Sequence, residues 1–534
     1  MSGNAEFFQE GPELGNQYQD DEALRAWLGR RVPETVLSGI EPGLASLGAR
    51  ASGEMLALTA AAEAQPPRHV PYDAWGRRVD RIEVSDAWKM LHRIAAEEGI
   101  VATAYERAQG EWSRLHQFVR LHLYTPSSAI YSCPLAMTDG AARTLELFGE
   151  AQLKQDVLPH LVSRDPQAFW TSGQWMTERS GGSDVSGTST EARFEDGLWR
   201  LHGTKWFTSA TTSEVAVTLA RDPEAQGRLS LYLLQLRDAE GKLNEIFVHR
   251  LKPKLGTWAL PTAELSLQGT PAVRIGEPGK GVKQIATVLN ITRLYNAVSA
   301  VSYMRRGLAL AVDYAGKRHA FGKPILEQPL HHETLSELDA EYTGALHLVL
   351  HLGVLLGRGE TGKGTPAETA LLRLLTPVAK LYTAKQSIAT ASEVLECFGG
   401  AGYIEDTGLP RLLRDCQVLS IWEGTTNVLS LDVLRALEDP ASFKAYAADV
   451  AARTAAMQGK ELAGFRDQIT AGVEAMGTWL KGAAQDREAL ERGARRLAFS
   501  MARTYTASLL GLAAAEGWME PDVLRHWCRT LPRG

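Results

Sequence analysis

The runs LWRLHG (Leu198–Gly203), EVAVTLA (Glu214–Ala220), LSLYLLQL (Leu229–Leu236), EIFVHRL (Glu245–Leu251) and AELSLQG (Ala263–Gly269) decide the fold. Clusters of Gly, Pro, Asp and Asn split them at near-regular intervals, which predicts a compact antiparallel sheet or barrel between about Trp199 and Ile275. Outward from this block the period changes. On the N-terminal side, Asp86–Tyr105, Trp112–Leu123 and Asp139–Phe148 carry apolar residues three and four apart, so residues 1 to about 165 read mostly as helices. On the C-terminal side, beyond the GEPGKG turn at Gly276–Gly281, Val282–Arg318, Leu330–Arg358 and Pro366–Phe398 read as helices, and a helical tail follows from about Asp439. Helices, strands, then helices describe an α+β chain with a β domain inserted between helical layers, and not a doubly wound βαβ sheet. The expected divisions are an N-terminal helical domain (1–170), a central β domain (171–277), a helical bundle (278–438) and an additional helical domain (439–534).

A chain of 534 residues has room for roughly three or four domains. Its 44% hydrophobic and 22% charged residues are ordinary for a folded soluble protein. The net charge of −6 gives no general attraction to nucleic acid or an anionic membrane. Four scattered cysteines, Cys133, Cys397, Cys416 and Cys528, form neither a disulfide framework nor a CxxC metal site, and fit a reducing cytoplasm. The N-terminus lacks a signal-peptide pattern, and the longest apolar stretch, near Ala507–Ala515, is far below the ~20 residues of a membrane span. The His331–His332 pair reads as a helix surface, so no metal is expected. SGGSDVSG (Ser180–Gly187) does not fit a GxSxG nucleophile motif, and GGAGYIED (Gly399–Asp406) follows a helix and lacks the last glycine of a dinucleotide fingerprint.

Three separated stretches carry a specific resemblance: MTERSGGSDVSG (Met176–Gly187) with GTKWFTSA (Gly203–Ala210), RHAFGKPI (Arg318–Ile325), and ECFGGAGYIEDTGLPRLLRDCQVLSIWEGTTNV (Glu396–Val428). In this order the chain resembles the acyl-CoA dehydrogenase flavoproteins from about Met137 to Leu437. PYDAWGRRVDRIEVSDAW (Pro71–Trp88), SCPLAMT (Ser132–Thr138), EQPL (Glu327–Leu330) and the C-terminal extension are similar to the AidB-type, alkylation-response branch.

The resemblance implies FAD as cofactor and Glu423 of SIWEGTTN as the base that removes the α-proton of an acyl-CoA, its pKa raised by desolvation beside the flavin. Some members carry the base immediately before an arginine on an earlier helix. Arg293 matches that arginine, but Thr292 precedes it and cannot serve, so Glu423 remains, with Arg293 stabilising the ionised base, lining the site, or bridging helices. Met176, Thr177, Gly182 and Ser183 match the segment that runs along the flavin. Trp206, Phe207 and Thr208 match the strand whose indole covers the ring and whose hydroxyl bonds N5; the AidB-type branch has an apolar residue in place of Thr208. Arg318 and Phe321, with Gly399 and Gly400, match segments that meet a flavin shared between subunits, and Thr425 and Asn427 complete the set. The implied assembly is a homotetramer, and the implied electron acceptor is an electron-transfer flavoprotein.

The rival expectation is an AidB-like DNA-binding flavoprotein with little dehydrogenase activity. From Asp439 to Gly534 there are 13 Lys and Arg against 11 Asp and Glu, a weak basic balance. Arg492, Arg495, Arg496 and Arg503 nonetheless fall on about one third of a helix circumference, a stripe able to meet phosphates. Phe499 lies on the same face, and Glu488 and Glu491 precede it as ion-pair partners.

Overall fold

The structure is a computed structural model and describes residues 9–529 and 531. The outer ends of the first and last expected domains, residues 1–8, 530 and 532–534, lie outside the described residues. The N-terminal region holds α1 (Glu22–Arg31), α2 (Glu34–Ser52), α3 (Glu54–Ala64), strands β1 (Arg68–Tyr72) and β2 (Arg78–Glu83), then α4 (Asp86–Glu97), α5 (Ala102–Glu106), α6 (Ser113–Tyr124), α7 (Ser132–Phe148), α8 (Ala151–Asp156) and α9 (Leu158–Leu161). The β block follows as β3 (Ser172–Gln174), β4 (Glu191–Glu195), β5 (Leu198–Ser209), β6 (Val215–Arg221), β7 (Leu229–Gln235), β8 (Ile246–Leu251) and β9 (Thr262–Ile275). Next come α10 (Gly281–Lys317), the short strands β10 (His319–Ala320) and β11 (Lys323–Pro324), α11 (Pro329–Glu360), α12 (Pro366–Cys397), α13 (Leu409–Leu419) and α14 (Thr426–Leu437). The tail consists of α15 (Pro440–Ala456), α16 (Lys460–Ala483), α17 (Arg487–Ala515) and α18 (Pro521–Arg529).

The seven strands run in the order β3-β6-β4-β5-β9-β7, with β8 on β9, and the additional β6–β7 pairing closes the ring into a barrel. Period two decides its layers. In β6 and β7, Val215, Val217, Leu219, Leu229, Leu231 and Leu233 pack outward against Leu145 of α7 and Ile285 and Val288 of α10, while Ala216, Tyr232 and Leu234 fill the barrel. Two irregularities interrupt the long β5–β9 ladder: one between Leu201 and His202, where Gly269 bulges from β9, and one between Lys205 and Thr208, where Trp206 and Phe207 bulge from β5.

The helices share a separate core in which α6, α7, α10, α11 and α12 meet, and α15–α18 extend it. Thr365 starts α12 with a capping box closed by Glu368. One 18-residue window of α11 is apolar enough to read as a membrane span, but 83% of it is buried inside the protein, as befits a central core helix. The largest departure from the sequence expectation is the β1–β2 hairpin over RHVPYDAWGRRVDRIE (Arg68–Glu83). Its strands are mostly exposed and charged, so they lack the apolar alternation by which a strand is recognised.

Candidate active site

Glu423 lies in the turn between α13 and α14, with φ +58°, and Gly424 follows with φ +102°. Glycine adopts the left-handed region freely, but a glutamate there costs about 1–3 kcal/mol and persists only where its surroundings impose it. Here they do. Lys380, fully buried on α12, donates Nζ hydrogen bonds of 2.7 Å to the carbonyls of both Trp422 and Gly424. Arg293 Nε of α10 donates to the intervening Glu423 carbonyl at 3.2 Å. The Trp422 indole donates to Asn296 Oδ1, and Asn296 Nδ2 donates to the Leu419 carbonyl at 3.1 Å.

The Glu423 carboxylate accepts a 2.5 Å hydrogen bond from the Thr292 hydroxyl, so the residue excluded as a base orients the base candidate. Arg293 is placed differently from the first two roles expected of it. Its Nη1 pairs with Asp432 of α14 at 2.8 Å, and Asp432 also takes Arg373 of α12 at 2.8 Å. The guanidinium therefore grips the Glu423 backbone and braces two helices, instead of facing the carboxylate. Burial pushes the Asp432 carboxyl up, but Arg293 and Arg373 outweigh it and hold the pKa below its ordinary value. Burial pulls Lys380 down to about 7, against the attraction of Glu423. Burial also pushes the Cys133 thiol of α7 up to about 12, with Lys254 opposing and Glu423 adding to the shift, which puts Cys133 within electrostatic reach of the carboxylate.

The segments expected to cradle a flavin are joined by backbone: Trp206 N–H donates to the Thr177 carbonyl at 2.9 Å, from within the β5 bulge. The Met176 side chain is buried between sheet and helices, leaving its backbone for any ligand. A Cβ at Gly182 would come 2.4 Å from Thr177 Oγ1, so the loop closes onto Thr177 only with glycine there; Ser183 beside it is exposed. Glu178 staples this loop. It accepts from Ser189 N and Oγ, from Thr190 N and Oγ1, and from the buried Lys205 Nζ at 2.9 Å. Burial opposes ionisation of Glu178, yet Lys205 and these donors bring its pKa down to about 2.

Lys252 Nζ sits 3.8 Å from the Trp206 ring centroid and 4.6 Å from that of Phe207, held by Glu264 at 2.6 Å. Thr208 requires a correction. It is fully buried, and its hydroxyl hydrogen goes to the Ala263 carbonyl at 2.8 Å, so in this arrangement it is a strand staple and not a donor to N5. Beside these segments, Gln174 Oε1 and Thr211 Oγ1 are buried without a hydrogen-bond partner among the described residues. A Gly-lined loop, an adjoining indole and spare buried acceptors fit a planar aromatic cofactor, Thr208 being the exception.

The remaining expected contacts lie on the outside of the chain, apart from the half-buried Arg318. Phe321 is 98% exposed at the tip of the β10–β11 hairpin, with φ +51°. Arg318 Nη1 donates to Gln9 at 2.9 Å. Gly399, Gly400, Thr425 and Asn427 are exposed. Asp184 of the Met176–Gly187 loop is within electrostatic reach of Arg435 on α14, which ties that loop to the Glu423 helix.

The arginine stripe does not survive as one surface. Arg503 is turned inward, with Nη1 donating to Tyr382 Oη at 2.7 Å and its guanidinium 4.6 Å from the Trp527 ring centroid. Phe499, on the same face, meets Tyr382 at 5.8 Å. The C-terminal half of that face is therefore core, because α17 packs it against α11, α12 and α18. Arg492 and Arg495 are exposed and loosely engaged, with Glu488 at 3.4 Å and Asn427 at 3.5 Å, and Arg496 is exposed.

The sequence marks Thr292 only as an excluded base, and helical spacing does not point to Asn296, Asp432 or Lys380. A signal existed for the last: Lys380 interrupts the apolar run PVAKLY, where a charge demands a partner.

Models of known families match the chain in chain order: the adaptive response protein AidB N-terminal domain at residues 11–166, the acyl-CoA dehydrogenase middle domain at 173–270, the acyl-CoA dehydrogenase C-terminal domain at 279–438, and the acyl-CoA dehydrogenase 11 C-terminal domain-like family at 441–531. Acyl-CoA dehydrogenase family member 11 of Caenorhabditis elegans is 43% identical over 94% of this chain and 85% of its own length. The crystal structure of C. elegans ACDH-11 in complex with C11-CoA superposes with a TM-score of 0.95 at 42% identity, over 99% of this chain and 93% of that one. The Bd2924 apo-form gives a TM-score of 0.87 at 52% identity, over 98% and 99%. Putative acyl-CoA dehydrogenase AidB of Escherichia coli is 34% identical over 74% of each chain. With all three expected layers present and ACDH-11 43% identical over 94% of this chain, the chain belongs to the acyl-CoA dehydrogenase family, as an AidB-like member.

Proposed function

We propose that the protein is an FAD-dependent acyl-CoA dehydrogenase that converts an acyl-CoA to the 2-enoyl-CoA. The observation that carries this reading is Glu423: a carboxylate on a braced backbone, with one oxygen held by Thr292 and the other without a hydrogen bond among the described residues. Glu423 takes the α-proton onto a carboxylate oxygen as the α-carbon–hydrogen bond breaks, and the β-hydrogen leaves with its electron pair. FAD, when bound, supplies the acceptor for that hydride. Thr177, Gly182 and Ser183 would hold the flavin along their loop, and Trp206 would cover it. Phe321, Gly399, Gly400, Thr425 and Asn427, which are exposed on a single chain, would meet a flavin shared with another subunit, together with the half-buried Arg318. The exposed Phe321, Tyr403 and Leu330 support an assembly of several copies, which we propose is a tetramer, and an electron-transfer flavoprotein is the proposed acceptor of the electrons. ACDH-11, similar over nearly the whole chain, is solved with C11-CoA, which supports an acyl-CoA as the substrate here.

The test is the flavin spectrum of purified holoenzyme, followed anaerobically on addition of acyl-CoAs from short branched to long straight chains. Bleaching by one chain class, lost in Glu423→Gln, is expected. A bound flavin that no thioester reduces would overturn the reading and direct attention to DNA binding through Arg492, Arg495 and Arg496.

A further inference from the structure

Around Glu423, three successive peptide carbonyls, those of Trp422, Glu423 and Gly424, each accept a hydrogen bond from a cationic side chain. The first and third share one donor, the Lys380 ammonium, which spans the residue between them like a bracket. A lysine buried to this degree is retained only where its charge is compensated. Its hydrogen-bond partners are two neutral carbonyls, and the opposite charge acting on it is the carboxylate of Glu423 itself. Arg293, the other cation nearby, repels it and is already matched by Asp432.

We infer that Lys380 is the positioning residue of the base: it fixes the left-handed turn that aims Glu423 and supplies the positive charge against which the ionised carboxylate is set. The inference rests on Glu423 being the base. When Glu423 is neutralised by the α-proton of the substrate, Lys380 loses its counter-charge, so the same ammonium favours release of that proton after the turnover. Lys380 touches neither thioester nor flavin in this role. Its loss therefore lowers the limiting rate and leaves acyl-CoA binding nearly intact.

The experiment compares Lys380→Met, Glu423→Gln and the double variant as holoenzymes with bound FAD, reading the limiting rate of anaerobic flavin reduction and the half-saturating acyl-CoA concentration. The expected result for Lys380→Met is a rate lower by about 10²-fold, the cost of a misplaced reacting group, with half-saturation within about twofold of wild type and the double variant no slower than Glu423→Gln. In Lys380→Ala, n-propylammonium, which replaces the missing three carbons and charge, restores rate, and 1-propanol does not. A Lys380→Met rate within twofold of wild type, beside a Glu423→Gln rate that collapses, overturns this inference and leaves the base assignment standing. A Glu423→Gln enzyme that still reduces its flavin overturns both. If Lys380→Met yields no folded holoenzyme, Lys380→Arg decides: a folded, flavin-loaded variant above a tenth of the wild-type rate supports the inference, and one at or below a tenth of it overturns the inference.

Discussion

Two buried lysines hold the two loops on which this reading depends, and they do so differently. Lys205 meets a formal charge, Glu178, whose remaining lone pairs are filled by serine and threonine donors. Lys380 meets two peptide carbonyls, and the carboxylate that balances it is engaged elsewhere. The first arrangement is closed: Glu178 is drawn down to about 2 and stays ionised through the physiological range. The second is open, and burial brings Lys380 down to about 7. One lysine serves the integrity of a loop, and the other serves the readiness of a chemical group. The general lesson is that a buried charge should be judged by what balances it, since a fixed partner means structure and a reacting one means function.

The contrast can be broken at several points. Glu423→Gln should lower flavin reduction by about 10²–10⁴-fold with little change in melting temperature, measured by anaerobic stopped-flow and calorimetry. Lys205→Met should do the reverse, costing about 3–5 kcal/mol of stability because Glu178 is left buried and unpaired, read from denaturant unfolding. Equal losses of rate and stability in both variants would dissolve the distinction.

Acid should separate the loops more gently. The folded-state pKa of Glu178, about 2, lies below its unfolded value of about 4.3, so its contribution is fully present above that value and fades as pH falls toward 2. The melting temperature of wild type should therefore drop more steeply than that of Glu178→Gln between those limits. The smallest effect is expected on the surface. Replacing Arg492, Arg495 and Arg496 together by Gln should shift stability by no more than about 1 kcal/mol and leave flavin reduction alone, whereas the single change Arg503→Met should cost more than all three. A loss of DNA retention in fluorescence anisotropy on making the triple variant would revive the nucleic-acid reading.

Much of this was legible before any coordinates. The helix–barrel–helix order followed from apolar periodicity, and the stretch expected as a helix from Pro366 to Phe398 is one from Pro366 to Cys397. The β1–β2 hairpin was not legible, because its strands carry charges on both faces and owe their place to Asp80, which binds His69, Arg78 and the Val248 N–H of the barrel. Tertiary contact, not pattern, makes them strands. The stripe that includes Arg503 was misread for a related reason: a helical wheel gives a side chain's azimuth but not what lies opposite it. Of the three roles open to Arg293, pattern alone did not select the helix bridge, since its partner Asp432 stands 139 residues away in the chain.

The two irregularities of the β5–β9 ladder have opposite sense. Up to Leu201 the partner is Thr270; past Gly269, His202 pairs with Gln268; and past Trp206 and Phe207, Thr208 pairs with Ala263, back in the original frame. They behave like a frameshift and its suppressor, with only the few residues between them read out of phase. Deleting one bulge residue from β5 alone should throw the end of that strand, Thr208 and Ser209 included, off its partners, while deleting Gly269 as well should restore the frame at both ends. Insertions and deletions in this stretch are then tolerated in pairs, one on each strand, or not at all.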